Sequence, residues 1–511
     1  MSVSAILRPI VAVVAVLAIG IGLWELQSAS SGLGIVRVWV GSVPVTVFRR
    51  EGGGPAPVVV IAHGFAGSQQ LMLPFAATLA RNGYVAVTFD FPGHGRNAVP
   101  MPGGIVDNTA NNQVLIDALG VAVDFARGLP GTDGRLGLLG HSMATDVLMR
   151  YAADHAGIDA VVAVSMFSTV VTPGMPRNLL VVDGALEPAM LTDEAARVVG
   201  MVAGGPVVPR VTYGDFAKGT ARRMSLSGGV EHIGVLYSVQ TMREALDWFD
   251  AAFGRRGDGG IDDRAPWLGV LYLGLIGLAW PLSRLLPRLA APGIGGGLPW
   301  RRLWPVAVAP AVLTPLILWK LPTDFLPILL GDYLTVHFAL YGGLTALGLA
   351  IVRRREVAAV ARRPVSAVLL VGAIAAVTAY CIFAIGLPID AYVTSFMPSG
   401  SRGALMLAVA CGTLPYFIAD EWLTRGPQAA RGGYAATKLL LALSLAFAVA
   451  LNIHRLFFLI IIIPVILVFL TVYGQFSGWA YRRTGHPLVG ACANALAIAW
   501  AIGVTFPEVG G

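Results

Sequence analysis

The chain changes its hydrophobic rhythm near residue 265. From 33 to 254, short apolar runs alternate with amphipathic ones, broken by Gly, Pro and charge. "PVVVIAHG" (57–64) is an unbroken apolar run stopping at glycine, which predicts a buried parallel strand. "YVAVTFD" (84–90), "RLGLLG" (135–140), "DAVVAVSMF" (159–167), "NLLVVDG" (178–184) and "RRMSLSG" (222–228) predict further strands. Helical spacing marks "QLMLPFAATLARNG" (70–83), "NQVLIDALGVAVDFARG" (112–128), the residues after Ser142 and "SVQTMREALDWFDAAFG" (238–254). Strand and helix alternating over this length imply the α/β class, with a doubly wound, mostly parallel sheet. Active sites of such sheets gather at the carboxyl ends of the strands.

Beyond residue 265 the pattern is nearly continuous apolar segments near 267–287, 303–321, 326–352, 365–387, 403–423, 434–453, 456–475 and 487–506. Each is long enough to cross a bilayer as a helix. A further apolar run spans 5–24. Arg8 before it and Ser28, Ala29, Ser30 and Ser31 after it also fit a cleaved signal peptide, but its length favours an uncleaved anchor. The expected organisation is an N-terminal membrane anchor (1–32), the α/β domain (33–254), a linker (255–265) and an all-α polytopic membrane domain (266–511) of about eight helices.

Composition agrees with that division. Of 511 residues, 56% are hydrophobic and 13% charged, against about 25% charged in soluble proteins. The net charge of +7 does not point to nucleic acid, because it comes from arginines in short loops rather than a lysine run. Arg284, Arg288, Arg301 and Arg302 share one loop, and Arg353, Arg354, Arg355, Arg362 and Arg363 share the next but one. Arg425, Arg431 and Lys438, then Arg482 and Arg483, continue the alternation. Basic loops stay in the cytoplasm, so the α/β domain is expected outside the cytoplasmic membrane. The N-terminus is then inside and the C-terminus outside. Cys381, Cys411 and Cys492 all sit in apolar segments, so no disulfide framework or thiolate metal site is indicated.

Four segments of the α/β region carry candidate chemistry: "AHGFAGS" (62–68), "FDFPGHGRN" (89–97), "LGLLGHSMATDVL" (136–148), and the pair "LLVVDGALEP" (179–188) with "GGVEHIGVLYS" (228–238). In the third, Ser142 sits at a strand-to-helix junction within Gly-x-Ser-x-Ala. A sharp turn that exposes a nucleophile needs small residues on both sides. Ala144 adds one methyl to the usual glycine. In their order, these segments resemble the α/β-hydrolase family over roughly 35–254.

The resemblance implies Ser142 as nucleophile, His232 as base and Glu187 as the acid that orients it, with Asp183 the nearest competitor. It implies an oxyanion hole from the backbone N–H groups of Phe65 and Met143. His94 is read as structural, on a loop that shapes the pocket rim. A serine hydroxyl is unreactive at neutral pH without a base in reach, and the base needs a carboxylate to fix its tautomer. Residues 168–177 are too short for a large lid, while 189–221 has room for a small cap.

Two membrane-half segments, "YFIADEWLTRGP" (416–427) and "YGQFSGWAYRRTGHPLVGACANAL" (473–496), distantly resemble the CAAX-protease and bacteriocin-processing intramembrane family. Asp420, Glu421 and Arg425 stand in its acidic motif, and His454 matches an intermediate histidine. Asn494 replaces the last histidine and Ala450 an expected phenylalanine. The alternative is a retained scaffold in which Asp420 or Glu421 pairs with Arg425.

The expected function is a membrane-anchored serine hydrolase of the esterase or lipase type, cleaving a small-molecule or lipid-like ester or thioester. No cofactor, metal or nucleic acid is expected, and membrane lipids are the surrounding partner. The rival readings are a non-catalytic binding module on a membrane protein and a degenerate intramembrane protease.

Overall fold

Strand and helix in the first half build one unit, and helices in the second half build another. The structure is a computed structural model describing residues 3–102, 108–353, 364–400 and 402–510. Arg354, Arg355, Arg362 and Arg363 lie outside the described residues. One unit, here the sheet unit, comprises Ile21–Gly269, Ile389–Ser395 and Pro507–Gly511; the helical unit comprises Met1–Gly20, Val270–Pro388 and Phe396–Phe506.

The sheet unit has eight strands: β1 (Leu33–Val40), β2 (Val43–Arg50), β3 (Ala56–Ala62), β4 (Val85–Phe89), β5 (Thr132–His141), β6 (Ala160–Val164), β7 (Leu179–Gly184) and β8 (Arg222–Ser227). Their order is β1-β2-β4-β3-β5-β6-β7-β8. From β4 to β8 every pairing is parallel, whereas β1–β2 and β2–β4 are antiparallel. All residues of β3, β4, β6 and β7 are buried. Unbroken apolar runs form such strands because helices cover both faces of the sheet. The helices of the first half are α1 (Val3–Ser28), α2 (Leu73–Arg81), α3 (Asn108–Arg127), α4 (Met143–Asp154), α5 (Ala189–Ala203) and α6 (Val239–Phe253). α6 begins at Ser238, whose hydroxyl accepts the Thr241 N–H, and stops at the left-handed Gly254. It buries Trp248 and Phe249 in the core, and the Trp248 indole donates to Asn178 O at 2.9 Å.

Two elements go beyond the sequence reading. β1 and β2 form an edge hairpin through Gly41-Ser42, with Gly41 at φ +60°, the backbone a two-residue hairpin needs. β1 is only half covered, with Val36 and Trp39 exposed, so it lacks the unbroken apolar signature of the inner strands. The stretch 189–221, expected to hold at most a small cap, opens with α5, which buries Glu194, Ala195, Val198 and Val199 and packs on β7 and β8.

Residues 507–510 also belong to the sheet unit. Glu508 N–H donates to Gly93 O at 2.9 Å, Met101 N–H to Glu508 O at 3.0 Å and Gly510 N–H to Met101 O at 2.6 Å.

The helices of the second half are α7 (Ala265–Leu282), α8 (Trp300–Leu318), α9 (Gly331–Arg353), α10 (Ala367–Ala379), α11 (Gly386–Tyr392), α12 (Arg402–Thr424), α13 (Gly433–Leu451), α14 (Ile453–Leu456), α15 (Leu459–Thr484) and α16 (Pro487–Thr505). A π-helical turn, Tyr380–Ile385, joins α10 to α11. Among the described residues, nine helical stretches are long and apolar enough to cross a membrane, and they fall on the nine segments read from the sequence. α12 packs against α9 and α16, with Gly342 and Gly412 letting the α9 and α12 backbones approach closely.

Candidate active site

β5 delivers Ser142 to the carboxyl edge of the sheet at φ +53°, ψ −119°. Such a backbone costs about 1–3 kcal/mol and persists only where its surroundings enforce it. Ser142 N–H donates to Val164 O at 2.9 Å. Thr145 N–H and Oγ1 both donate to Ser142 O, at 2.8 and 2.7 Å. The turn is tight at Gly140, where a methyl would meet Leu148 Cδ1 at 2.7 Å and Ala144 Cβ at 3.2 Å. The fully buried Ala144 methyl thus uses space that Gly140 leaves open. Ala144→Gly is expected to change kcat/KM by no more than about twofold and to lower Tm, since glycine costs about 1 kcal/mol against alanine in a helix. Steady-state kinetics and a thermal melt check this; a several-fold gain in rate would mean the methyl displaces the serine.

His232 Nε2 lies 2.9 Å from Ser142 Oγ. Its Nδ1 is 3.6 Å from Glu187 Oε2, longer than a hydrogen bond, and among the described residues Glu187 Oε2 has no hydrogen-bond partner. Catalytic bonds are often long in substrate-free sites and tighten in the complex. The other oxygen, Oε1, accepts from Ser165 Oγ at 2.5 Å and Gly184 N–H at 3.3 Å. That anchoring leaves Oε2 for the histidine. Ser165, at φ +56° just past β6, went unnoticed in the sequence, where no local pattern marks it.

Asp183, the competing acid, is fully buried, and its Oδ1 accepts a long 3.4 Å bond from Met166 N–H. Burial, reinforced by the nearby Glu187 charge, pushes its carboxyl up to about 8. At neutral pH this favours its uncharged form, which is poorly suited to stabilise an imidazolium.

His141, beside the nucleophile, is a second residue the sequence did not single out. Its Nε2–H donates to His232 O at 3.0 Å, tying the histidine loop to the elbow. Burial first, then the adjacent His232, holds its pKa well below the ordinary value. The ring is neutral, with its proton on Nε2 because the partner is a carbonyl.

Gly64 rests against the same elbow. A methyl there would meet His141 Nδ1 at 2.9 Å, His141 O at 3.1 Å and Ser142 Cβ at 3.1 Å. Phe65 and Ala66 occupy the turn that Gly67 N–H closes onto Gly64 O at 3.1 Å, with Ala66 at φ +53°. His63 Nδ1–H donates to Gly64 O at 2.8 Å, and Nε2 accepts Phe91 N–H at 3.1 Å. Burial lowers the His63 pKa against the pull of Asp90. Met143 is the first residue of α4, so its N–H has no acceptor within the helix. Asp90 accepts from Gln69 N–H, Gln69 Nε2 and Arg96 N–H at 2.7, 3.1 and 3.0 Å. His94 is buried, with Nδ1 2.9 Å from Pro92 O, which suits a structural role. The site thus brings together a serine hydroxyl, an imidazole, a carboxyl group and two backbone segments, the groups that an acyl-transfer site uses.

The second candidate set, on α12, is arranged differently. Asp420 pairs with Lys438, and Glu421 pairs with Arg425 at 2.8 Å and accepts from Ser477. Lys438 Nζ and Arg425 Cζ lie 4.1 and 4.2 Å from the centre of the Tyr434 ring. His454 is exposed on α14, and Asn494 Nδ2 is 3.5 Å from the Tyr434 hydroxyl. Among the described residues no three His, Cys, Asp or Glu side chains are grouped to hold a metal. Both carboxylates are thus engaged by cations.

Solved structures with detectable likeness include TT1662 from Thermus thermophilus (17% identity, 44% of this chain and 99% of that one, TM-score 0.35). They also include a membrane phospholipase A (14%, 47% and 93%, TM-score 0.32) and the dienelactone hydrolase of Anabaena variabilis (16%, 42% and 96%, TM-score 0.31). No curated protein matches the chain. Residues 53–199, which include Ser142 and Glu187 but stop short of His232, match the family model for serine aminopeptidase, S33, and the sheet unit has the mostly parallel, eight-stranded order of the α/β-hydrolase fold.

Proposed function

We propose that this protein is a membrane-anchored serine hydrolase that cleaves an ester or thioester outside the cytoplasmic membrane. The observation that carries the reading is the 2.9 Å approach of His232 Nε2 to Ser142 Oγ, with Ser142 on a strained turn. Ser142 Oγ attacks the carbonyl carbon while His232 Nε2 takes its proton. Glu187 stabilises the resulting imidazolium, and the Phe65 and Met143 N–H groups receive the oxyanion. His232 then protonates the leaving alcohol or thiol. Water, activated by the same ring, releases the acid and restores Ser142. Asp146, four residues past Ser142 on α4, is committed to Arg150, and Glu194 on α5 to Arg197, each at 2.6 Å. That favours an ester over a peptide whose free amino end would need an acidic partner.

The membrane reading draws support from parity. The sheet unit is assembled from segments that follow the first, fifth and ninth candidate spans. A chain that threads every span delivers those three segments to one face. The arginine-rich loops fall between them, on the other face, and basic loops favour the cytoplasm.

Two fluorophosphonate probes test both parts, one membrane-permeant and one charged and impermeant. Both are expected to label the protein on intact cells, and Asp420→Ala is expected to label equally. No labelling of folded protein by either probe would overturn the hydrolase reading. Labelling by the permeant probe alone would overturn the orientation.

A further inference from the structure

We propose that residues 389–395 are positioning residues of the active site, setting the oxyanion loop through Ser68 and Gln70. The inference rests on the hydrolase reading above and extends it to a segment about 160 residues beyond His232, which the sheet unit nonetheless includes.

Ser68 precedes the 3₁₀ turn Gln69–Met72, the position where a serine hydroxyl ordinarily caps the first turn. Here it makes no cap bond. The fully buried hydroxyl accepts Ser395 N–H at 2.8 Å and shares a 3.0 Å hydrogen bond with Thr394 Oγ1. Gln70, also buried, donates from Nε2 to Ser395 Oγ at 3.1 Å and to Asp390 O at 3.3 Å. Arg96 adds a half-exposed ion pair to Asp390 at 3.0 Å, worth little by itself. The Ser68 and Gln70 side chains are therefore directed at residues 390–395 rather than at their own backbone.

The other end of this short stretch is the reaction centre. Ser68 is two residues from Ala66, whose left-handed backbone must be held from outside, and three from Phe65. Gly64 is wedged on His141 and Ser142 at one end, and Gln69 is bound to Asp90 at the other. Residues 394–395 provide the third support. An oxyanion donor is effective only if it is fixed before charge develops. Loosening Ser68 should weaken stabilisation of the transition state and leave substrate binding alone.

The test uses the full chain and p-nitrophenyl butyrate as probe substrate. Thr394→Val with Ser395→Ala is expected to lower kcat about 10- to 100-fold, short of the loss of a whole donor. KM should stay within about twofold and fluorophosphonate labelling should still reach full stoichiometry, more slowly. Thr394→Ser alone, which keeps the hydroxyl, is expected to retain the parent kcat, whereas Thr394→Val alone lowers it. An unchanged kcat in the double variant, or equal losses in Thr394→Ser and Thr394→Val, would overturn the inference while parent labelling keeps the hydrolase reading intact. Failure of the parent protein to label would overturn both.

Discussion

Ser142→Ala is expected to abolish fluorophosphonate labelling and to lower kcat on a nitrophenyl ester by about a million-fold. His232→Ala should cost about as much, and the double variant no more, because nucleophile and base act as one unit. The reason is visible in the geometry. Ser142 Oγ faces one nitrogen base, His232 Nε2 at 2.9 Å, and without that acceptor the hydroxyl proton has nowhere to go as the carbonyl is attacked. The residual rate should come from the Phe65 and Met143 N–H groups and from substrate binding alone. Stopped assays on purified, folded variants give the comparison. A Ser142→Ala protein retaining even a hundredth of the parent rate would remove Ser142 from the mechanism.

The second large effect separates the two carboxylates of the β7 loop. Glu187→Gln is expected to reduce kcat by about 10³–10⁴-fold, the scale seen when a triad acid becomes an amide. Asp183→Asn should reduce it by less than about tenfold, because a neutral acid is exchanged for a neutral amide. Its signature lies in stability instead. The folded-state pKa of Asp183 is raised to about 8 from an ordinary 3.8. The native state therefore holds a proton that the unfolded chain has released. Asp183's contribution is fully present below about pH 4 and is lost, by up to about 1.4 kcal/mol per unit, as pH rises to about 8. Asp183→Asn removes that slope, so its melting temperature should gain on the parent steadily from pH 5 to pH 8. A constant offset would show that Asp183 is ionised in the fold.

The inner strands were legible because burial on both faces leaves a plain mark, as "PVVVIAHG" does for β3. Ser142 is legible because it follows such a strand at a turn, Glu187 and His232 only through the resemblance to the α/β-hydrolase order, and the structure brings the three side chains to one edge of the sheet. Phe65 and Met143 are named only through that same resemblance, on the segment 62–68 and the residue after Ser142. The edge hairpin was not, since half-exposed β1 mixes apolar and polar positions without a period strong enough to stand out. Ser165 and His141 stayed hidden for another reason. Their roles depend on single bonds to Glu187 Oε1 and His232 O, formed across the sheet between residues distant in sequence. The same holds for Thr394 and Ser395, whose partners lie more than 300 residues earlier. In the helical unit, the sequence foresaw an ion pair on α12 but not its full form, in which Lys438 takes Asp420 and leaves Glu421 to Arg425.

The inclusion of residues 389–395 and 507–510 in the sheet unit also has a consequence in time. Domains ordinarily fold as they emerge, at about 5–20 residues per second. Here β1 to β8 and α6 are all synthesised by residue 253, yet Gly93 and Met101 bond to Glu508. Roughly 12 to 50 seconds of synthesis therefore separate the finished sheet from its last hydrogen-bonding partners. For roughly the first 7 to 28 seconds of that interval, until residue 395 is made, Ser142 and His232 already exist while Ser68 and Gln70 wait for their supports. On the proposal above, the supports of Ser68 and Gln70 are therefore made only after the whole sheet has been synthesised, rather than along with it.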